Sequence, residues 1–129
     1  MTAPTTYTTE RKIEVLRAAA GIIRKAGLAK HSYRDDQPNL APQDCPHCAM
    51  GGILEVLVPN FGMRKDIAVS SSPEFYDLLR DIAATLCGDR PTDWESYDII
   101  ASYNDIPQRT EEEVAALLDN TAARLEVAA

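Results

Sequence analysis

The sequence predicts a mainly α-helical fold, a compact single-domain bundle of about five helices with long irregular loops. Three observations carry that expectation. Apolar residues recur at three- and four-residue steps in several segments, the spacing of a helix with one inward face. Capping residues open those segments and glycines close them. No internal repeat, sustained heptad or run of alternating strands competes with this pattern. With 129 residues, 45% hydrophobic and 26% charged, the chain has the length and composition of one folded domain.

The elements follow in order. Residues 1–9 are polar, threonine-rich and aperiodic, and read as a flexible N-terminal tail ahead of a single helical domain over 10–129. From Glu10 to Ala26, Ile13, Leu16, Ala20 and Ile23 mark a first helix, with Thr9 as its cap and Gly27 as a left-handed end. Leu28 to Asp44 contains Pro38, Asn39, Pro42 and the pair Asp35 and Asp36, so a long loop is expected. Met50, Ile53, Leu54 and Leu57 then suggest a short buried helix over 48–58, although Val56 to Val58 also suits a strand. Residues 59–72 read as irregular. Ser72, Pro73 and Glu74 together signal a helix start, with Phe75, Leu78, Leu79, Ile82 and Leu86 on one face and Gly88 as the stop. Thr92 and Glu95 have capping-box spacing before Trp94, Tyr97, Ile100 and Ala101, so a fourth helix runs to about Tyr103 and ends at Asn104, Asp105 and Pro107. Thr110 and Glu113 repeat the box ahead of Val114, Leu117, Leu118, Thr121 and Leu125, the fifth helix.

Charge excludes some functions. A net charge of −7 repels phosphate backbones and anionic lipid, so no nucleic-acid partner is expected. The cations Arg11, Lys12, Arg17, Arg24, Lys25 and Lys30 read as a solvated face rather than a binding stripe. No apolar run approaches the roughly 20 residues of a membrane span, and the N-terminus lacks a signal-peptide pattern, so a cytoplasmic protein with no membrane partner is expected. Three cysteines do not make a secreted disulfide framework.

Cys45-Pro46-His47-Cys48 is the sharpest local feature. Two thiols two residues apart at a helix start suit redox chemistry, but a thioredoxin-like fold requires a buried strand before them, and the proline-broken 38–44 stretch is not one. As metal ligands, Cys45, His47 and Cys48 with Cys87 or His31 would make a tetrahedral zinc site, though a second matching pair is missing. As a catalytic set, Cys48 would be the nucleophile, His31 the base in preference to the adjacent His47, and Asp105 or Asn104 the orienting group. The plainer reading makes Cys48 and Cys87 small core residues. Trp94, Tyr97 and Tyr103 at helical spacing likewise read as core more than pocket, and Glu111, Glu112 and Glu113 as partners of a helix N-terminus.

Three separated stretches look familiar together: Leu28-Ala29-Lys30-His31-Ser32-Tyr33-Arg34-Asp35-Asp36, then Cys48-Ala49-Met50-Gly51-Gly52-Ile53, then Tyr103-Asn104-Asp105 leading into Arg109-Thr110-Glu111-Glu112-Glu113-Val114. In that order they resemble a small bacterial and phage domain family of uncharacterised function. The family pattern is a helix, an aromatic-acid turn, a Cys-Ala-x-Gly-Ala-Leu segment, and an Asn-Asp before a Thr-capped terminal helix. Gly52 stands where alanine is usual, and Cys45-Pro46-His47 is an addition, so the resemblance carries over Cys48, Gly51, Asn104 and Asp105. Small residues at 48, 49, 51 and 52 would let another backbone pack closely, while Asn104 and Asp105 would bond exposed amides and tie the fourth helix to the fifth. The expected function is that of a small accessory or regulatory protein acting through a protein partner, without a cofactor and not as an enzyme. The alternative is a thiol- or zinc-dependent activity centred on residues 45–48.

Overall fold

Among the described residues, five helices carry the chain: α1 (Thr9–Ala26), α2 (Ala49–Leu57), α3 (Pro73–Cys87), α4 (Asp93–Asn104) and α5 (Glu111–Ala128). They come from a computed structural model that describes residues 8–59, 61–62 and 73–128. The mainly α single-domain expectation holds. The tail over residues 1–7, the Ser72 cap and most of the 59–72 stretch lie outside the described residues.

Short α2 is the centre of the bundle. It packs on α1 and touches α3, α4 and α5, and it buries Ala49 through Glu55. A helix enclosed on all sides must be apolar all round, as AMGGILEVL nearly is. Around it, α1 lies along α5 and α3 packs against α4 and α5. Leu16, Ile53, Phe75, Ile100 and Leu118 bring all five helices into one apolar cluster, and each is at most 2% exposed. Removing such a side chain from water contributes about 1.5–3 kcal/mol.

The helix ends follow the sequence with small shifts. The α1 cap is Thr8 rather than Thr9, its hydroxyl accepting from Arg11 N at 3.1 Å; both threonines therefore belong to the helix start and not to a tail. Gly27 ends α1 at φ +105°, ψ 173°, a region open to glycine but not the left-handed helical one. Thr92 and Glu95 form a complete capping box, and Thr110 and Glu113 exchange the same reciprocal bonds at 3.2 and 3.0 Å. Val56 and Leu57 are helical, with Val58 as the cap of α2.

The predicted solvated face of α1 is instead an ionic seam. Arg17 and Arg24 reach Asp119, Glu126 and Glu112 on α5, and Lys12 reaches Asp77 (2.7 Å) and Asp81 (3.0 Å) on α3. The acidic helices supply carboxylates to Lys12, Arg17 and Arg24, so these charges orient helices even though the two arginines stay partly exposed. Asp77 shows the balance: burial raises its pKa, but bonds from Lys12 and Arg90 outweigh that and leave it lowered. A carboxyl depressed in the fold stabilises it above the ordinary carboxylate range and loses that contribution as pH falls through its own pKa.

The loop between α1 and α2 is long but pinned. Gly27 O accepts from His47 N (3.1 Å), His47 O from Ala29 N (3.0 Å), Pro46 O from Asp35 N (2.9 Å), and Tyr33 O from Cys48 N (3.1 Å). Residues 46–48 thus run between two stretches of the same loop as isolated bridges. This close approach requires glycine in α2: a Cβ built on Gly51 would stand 1.7 Å from Tyr33 O, whereas one on Gly52 would meet Ala19 at 3.4 Å.

The three glycines give a graded test. Gly51→Ala should destabilise by about 3 kcal/mol or more, since backbone must move, and Gly52→Ala by less. Gly21→Ala, with nothing within 4 Å, should stabilise α1 by about 0.5–1 kcal/mol. Urea unfolding midpoints check the order.

Candidate functional site

The 31–33 loop, the first turn of α2 and one face of α4 enclose a cleft of about 420 Å³. Tyr97, Ala101 and Asp105 supply its α4 wall at four-residue spacing, and Cys48, Met50 and His31 supply the opposite side. All three stretches singled out in the sequence therefore meet here.

Asn104 is the joint. Its Oδ1 accepts from Ala49 N, the first amide of α2, at 3.0 Å, and its Nδ2 donates to Ala29 O at 3.0 Å and Asp105 Oδ1 at 3.1 Å. Asp105 Oδ1 also accepts from His31 N at 3.0 Å. These side chains do bond backbone amides, but they tie α4 to α2 and the loop instead of to α5. The reason is local: α4 ends beside the unsatisfied amides of the α2 start, while Thr110 and Glu113 already satisfy those of α5. Lys30 closes the same corner by donating to Asn104 O (2.9 Å) and Ile106 O (2.7 Å).

Cys48 caps α2. Its Sγ accepts from Gly51 N at 3.2 Å, and the residue is 5% exposed. Burial pushes the thiol up to about 11 against the lowering effect of the Gly51 and Met50 amides, with the Asp105 carboxylate adding to the rise. The neutral thiol is thus the form present near neutrality. Tyr33 is also raised, first by burial and then by its hydroxyl contact with Tyr97 at 3.2 Å.

The candidate catalytic set shares the cleft without forming a relay. Cys48, His31 and Asp105 all line it, yet the exposed His31 ring turns to Asp105, Nδ1 standing 3.4 Å from Oδ2, while Sγ is held by Gly51. His31 takes a left-handed φ of 64° to make that turn.

The zinc set is not assembled: among the described residues no three His, Cys, Asp or Glu side chains are grouped to hold a metal. Cys45 is buried with Sγ against Ala41 O at 3.5 Å, and Cys87 is exposed at the end of α3, Sγ donating to Ala83 O at 3.0 Å. His47 is fully buried, with both ring nitrogens engaged. Its Nδ1–H donates to Cys45 O (2.6 Å), since a carbonyl only accepts, and Nε2 faces Glu55 Oε1 (2.8 Å). Arg34 Nη1 donates to the same Glu55 oxygen at 3.1 Å, and its guanidinium lies 4.4 Å from the Phe61 ring centre.

Residues 8–124 match the model of a family described as "Family of unknown function (DUF6197)". The chain belongs to this family. No curated protein and no solved structure matches it. The family match spans every residue of the cleft, and no described helix is long and apolar enough to cross a membrane.

Sequence reasoning missed three features of this family member. Trp94 is not core: its side of α4 lies 200° around the helix from buried Ser96, and it is 77% exposed, stacked on Tyr97 at 6.4 Å between ring centres. Tyr103 lies under the Arg109 guanidinium at 3.7 Å. The Arg34–Glu55–His47 group was missed as well, though one charge in an otherwise apolar α2 was its signal.

Thiol reactivity checks this geometry. In folded protein at mildly alkaline pH, a small alkylating reagent should modify Cys87 rapidly and leave Cys45 and Cys48 untouched, and all three should react in denaturant. Mass mapping of the labelled cysteines reads the outcome.

Proposed function

We propose that this domain is a small binding protein that acts through a protein partner, and that the cleft is where the partner is recognised. One observation carries the reading: Trp94, exposed at 77%, stacks on Tyr97 at the wall of an open cleft that also contains Tyr33 and Met50. Tryptophan, tyrosine and methionine are enriched where proteins bind one another: the two aromatic side chains cover a large area while ordering few torsions, and methionine adapts its shape to a guest. A tryptophan this exposed gains little from burial in the monomer beyond its stack on Tyr97. The cleft floor is rigid, since Asn104, the Cys48 cap and the Tyr33 carbonyl fix its three walls to one another, and a preorganised surface loses less entropy on binding.

Thiol activity is the second reading, favoured by Cys48, His31 and Asp105 lining one cleft. The raised thiol and the absence of an imidazole bond to Sγ weigh against it.

Affinity capture from host lysate with four baits separates the readings. Trp94→Ala should lose a partner that wild type and Cys48→Ser both retain, with affinity down about tenfold or more, and Val127→Ser, exposed but outside the cleft, should behave as wild type. Loss of binding or phenotype in Cys48→Ser at unchanged stability would favour thiol chemistry instead. A Trp94→Ala bait that captures the same partner as wild type would remove the cleft from the interaction.

A further inference from the structure

The cleft has two chemically distinct ends. At one end stands Tyr97, with Trp94, just outside the lining, stacked on it. Eight residues along α4, about 12 Å by the helical rise, stands Asp105, with Ala101 between them on the same face. The Asp105 carboxylate is fixed in direction because Oδ1 accepts two hydrogen bonds, from His31 N and Asn104 Nδ2. Among the described residues Oδ2 has only the exposed His31 Nδ1 at 3.4 Å, too long for a good bond. The cleft therefore offers one oriented carboxylate oxygen, an apolar wall of Ala101, Ile100 and Met50, and an aromatic rim.

We propose that the occupant is an arginine or lysine side chain of a partner peptide, its cationic head on Asp105 Oδ2 and its alkyl stem along Ala101 toward Tyr97; this rests on the reading of the cleft as a protein-binding site. Such a side chain matches both ends, because it buries an apolar stem while keeping a charged head satisfied. An apolar guest would desolvate Oδ2 and give it no partner. An anionic guest would face Asp105 on a chain of net charge −7, and the adjacent Lys30 ammonium already donates to two backbone carbonyls. The His31 ring is the group displaced: it is exposed, on the surface side of Asp105, and free to swing outward while its N–H keeps Oδ1 in place.

The test is an amide chemical-shift titration of the full chain with four blocked peptides, acetyl-Gly-Xaa-Gly-amide, where Xaa is Arg, Lys, Leu or Glu. The Arg and Lys peptides should move resonances of Cys48, Tyr97, Ala101 and Asp105 saturably, binding about threefold or more tighter than the Leu peptide and weakening as salt is added. Asp105→Asn should remove that preference, and His31→Gly, which keeps the N–H and suits the positive φ, should strengthen Arg binding. Should Asp105→Asn unfold the chain, the His31→Gly and salt arms still decide. Equal binding of Leu and Arg peptides would overturn the basic-side-chain inference while leaving the cleft as a binding site, and shifts with no peptide, or outside the cleft only, would overturn it too. Failure of the cleft reading shows up separately, as Trp94→Ala capture equal to wild type.

Discussion

Tyr33 presents its carbonyl oxygen to two groups at once, accepting from Cys48 N and lying where any side chain on Gly51 would stand. That single approach sets where the first turn of α2 begins relative to the loop, and the other contacts around the cleft follow from it. Once Cys48 is held by its amide, its Sγ is placed to cap Gly51 N, Ala49 N is turned to Asn104, and Tyr33 is positioned with its hydroxyl on Tyr97. A larger residue at 51 would separate the loop from the helix and open all of these bonds together. Glycine at 51 is therefore a condition of assembly, and the small Cys48 and Ala49 beside it line the cleft.

Behind this contact the loop is anchored by buried charge. Arg34 and His47 converge on Glu55, which rises from the one polar position of α2. Removing two or three ionisable groups from water is costly, and the arrangement holds because each polar atom finds a partner and because Phe61 covers the guanidinium. Such a network adds little net stability compared with an apolar replacement, but it ties residues 34 and 47 of the loop to one point on α2. The Cys45-Pro46-His47 stretch supplies His47, one of the network's three members. The tetrapeptide that looks reactive in the sequence is thus a latch: His47 is tied to Glu55, Cys45 is buried, and Cys48 is a helix cap.

Helix boundaries were legible because they are local. Thr92 with Glu95 and Thr110 with Glu113 carry their partners three residues away, so spacing alone announces the bond. The convergence of the three motif stretches was not legible, because the bonds that create it span 55 residues from Asn104 to Ala49 and 74 from Asp105 to His31. Periodicity also misjudged Trp94. It counts apolar residues without knowing which side of a helix meets a neighbour, and in α4 the inward positions are Ser96, Ile100 and Asn104, two of them polar. Tyr97, Ala101 and Tyr103 pack at the edge of the core, so Trp94 alone among the large apolar residues of α4 stands exposed, and spacing by itself does not separate it from them.

The distribution of charge bears on the cleft. Arginines and lysines of α1 are matched to carboxylates on α3 and α5, so most cations of this acidic chain are already paired within the fold. The carboxylate excess remains, and Asp105 is fixed in orientation through Oδ1 beside an apolar wall. A charge held in place before a ligand arrives favours its opposite without the cost of ordering a side chain first, and the apolar surroundings strengthen that attraction by excluding water. The same neighbourhood keeps the Cys48 thiol neutral, since burial and the Asp105 charge both oppose the thiolate. Burial does most of this and the carboxylate adds to it, so the residue that favours a cation in the cleft also works against a thiolate beside it, which is the physical argument behind the proposed reading of the site as one of recognition.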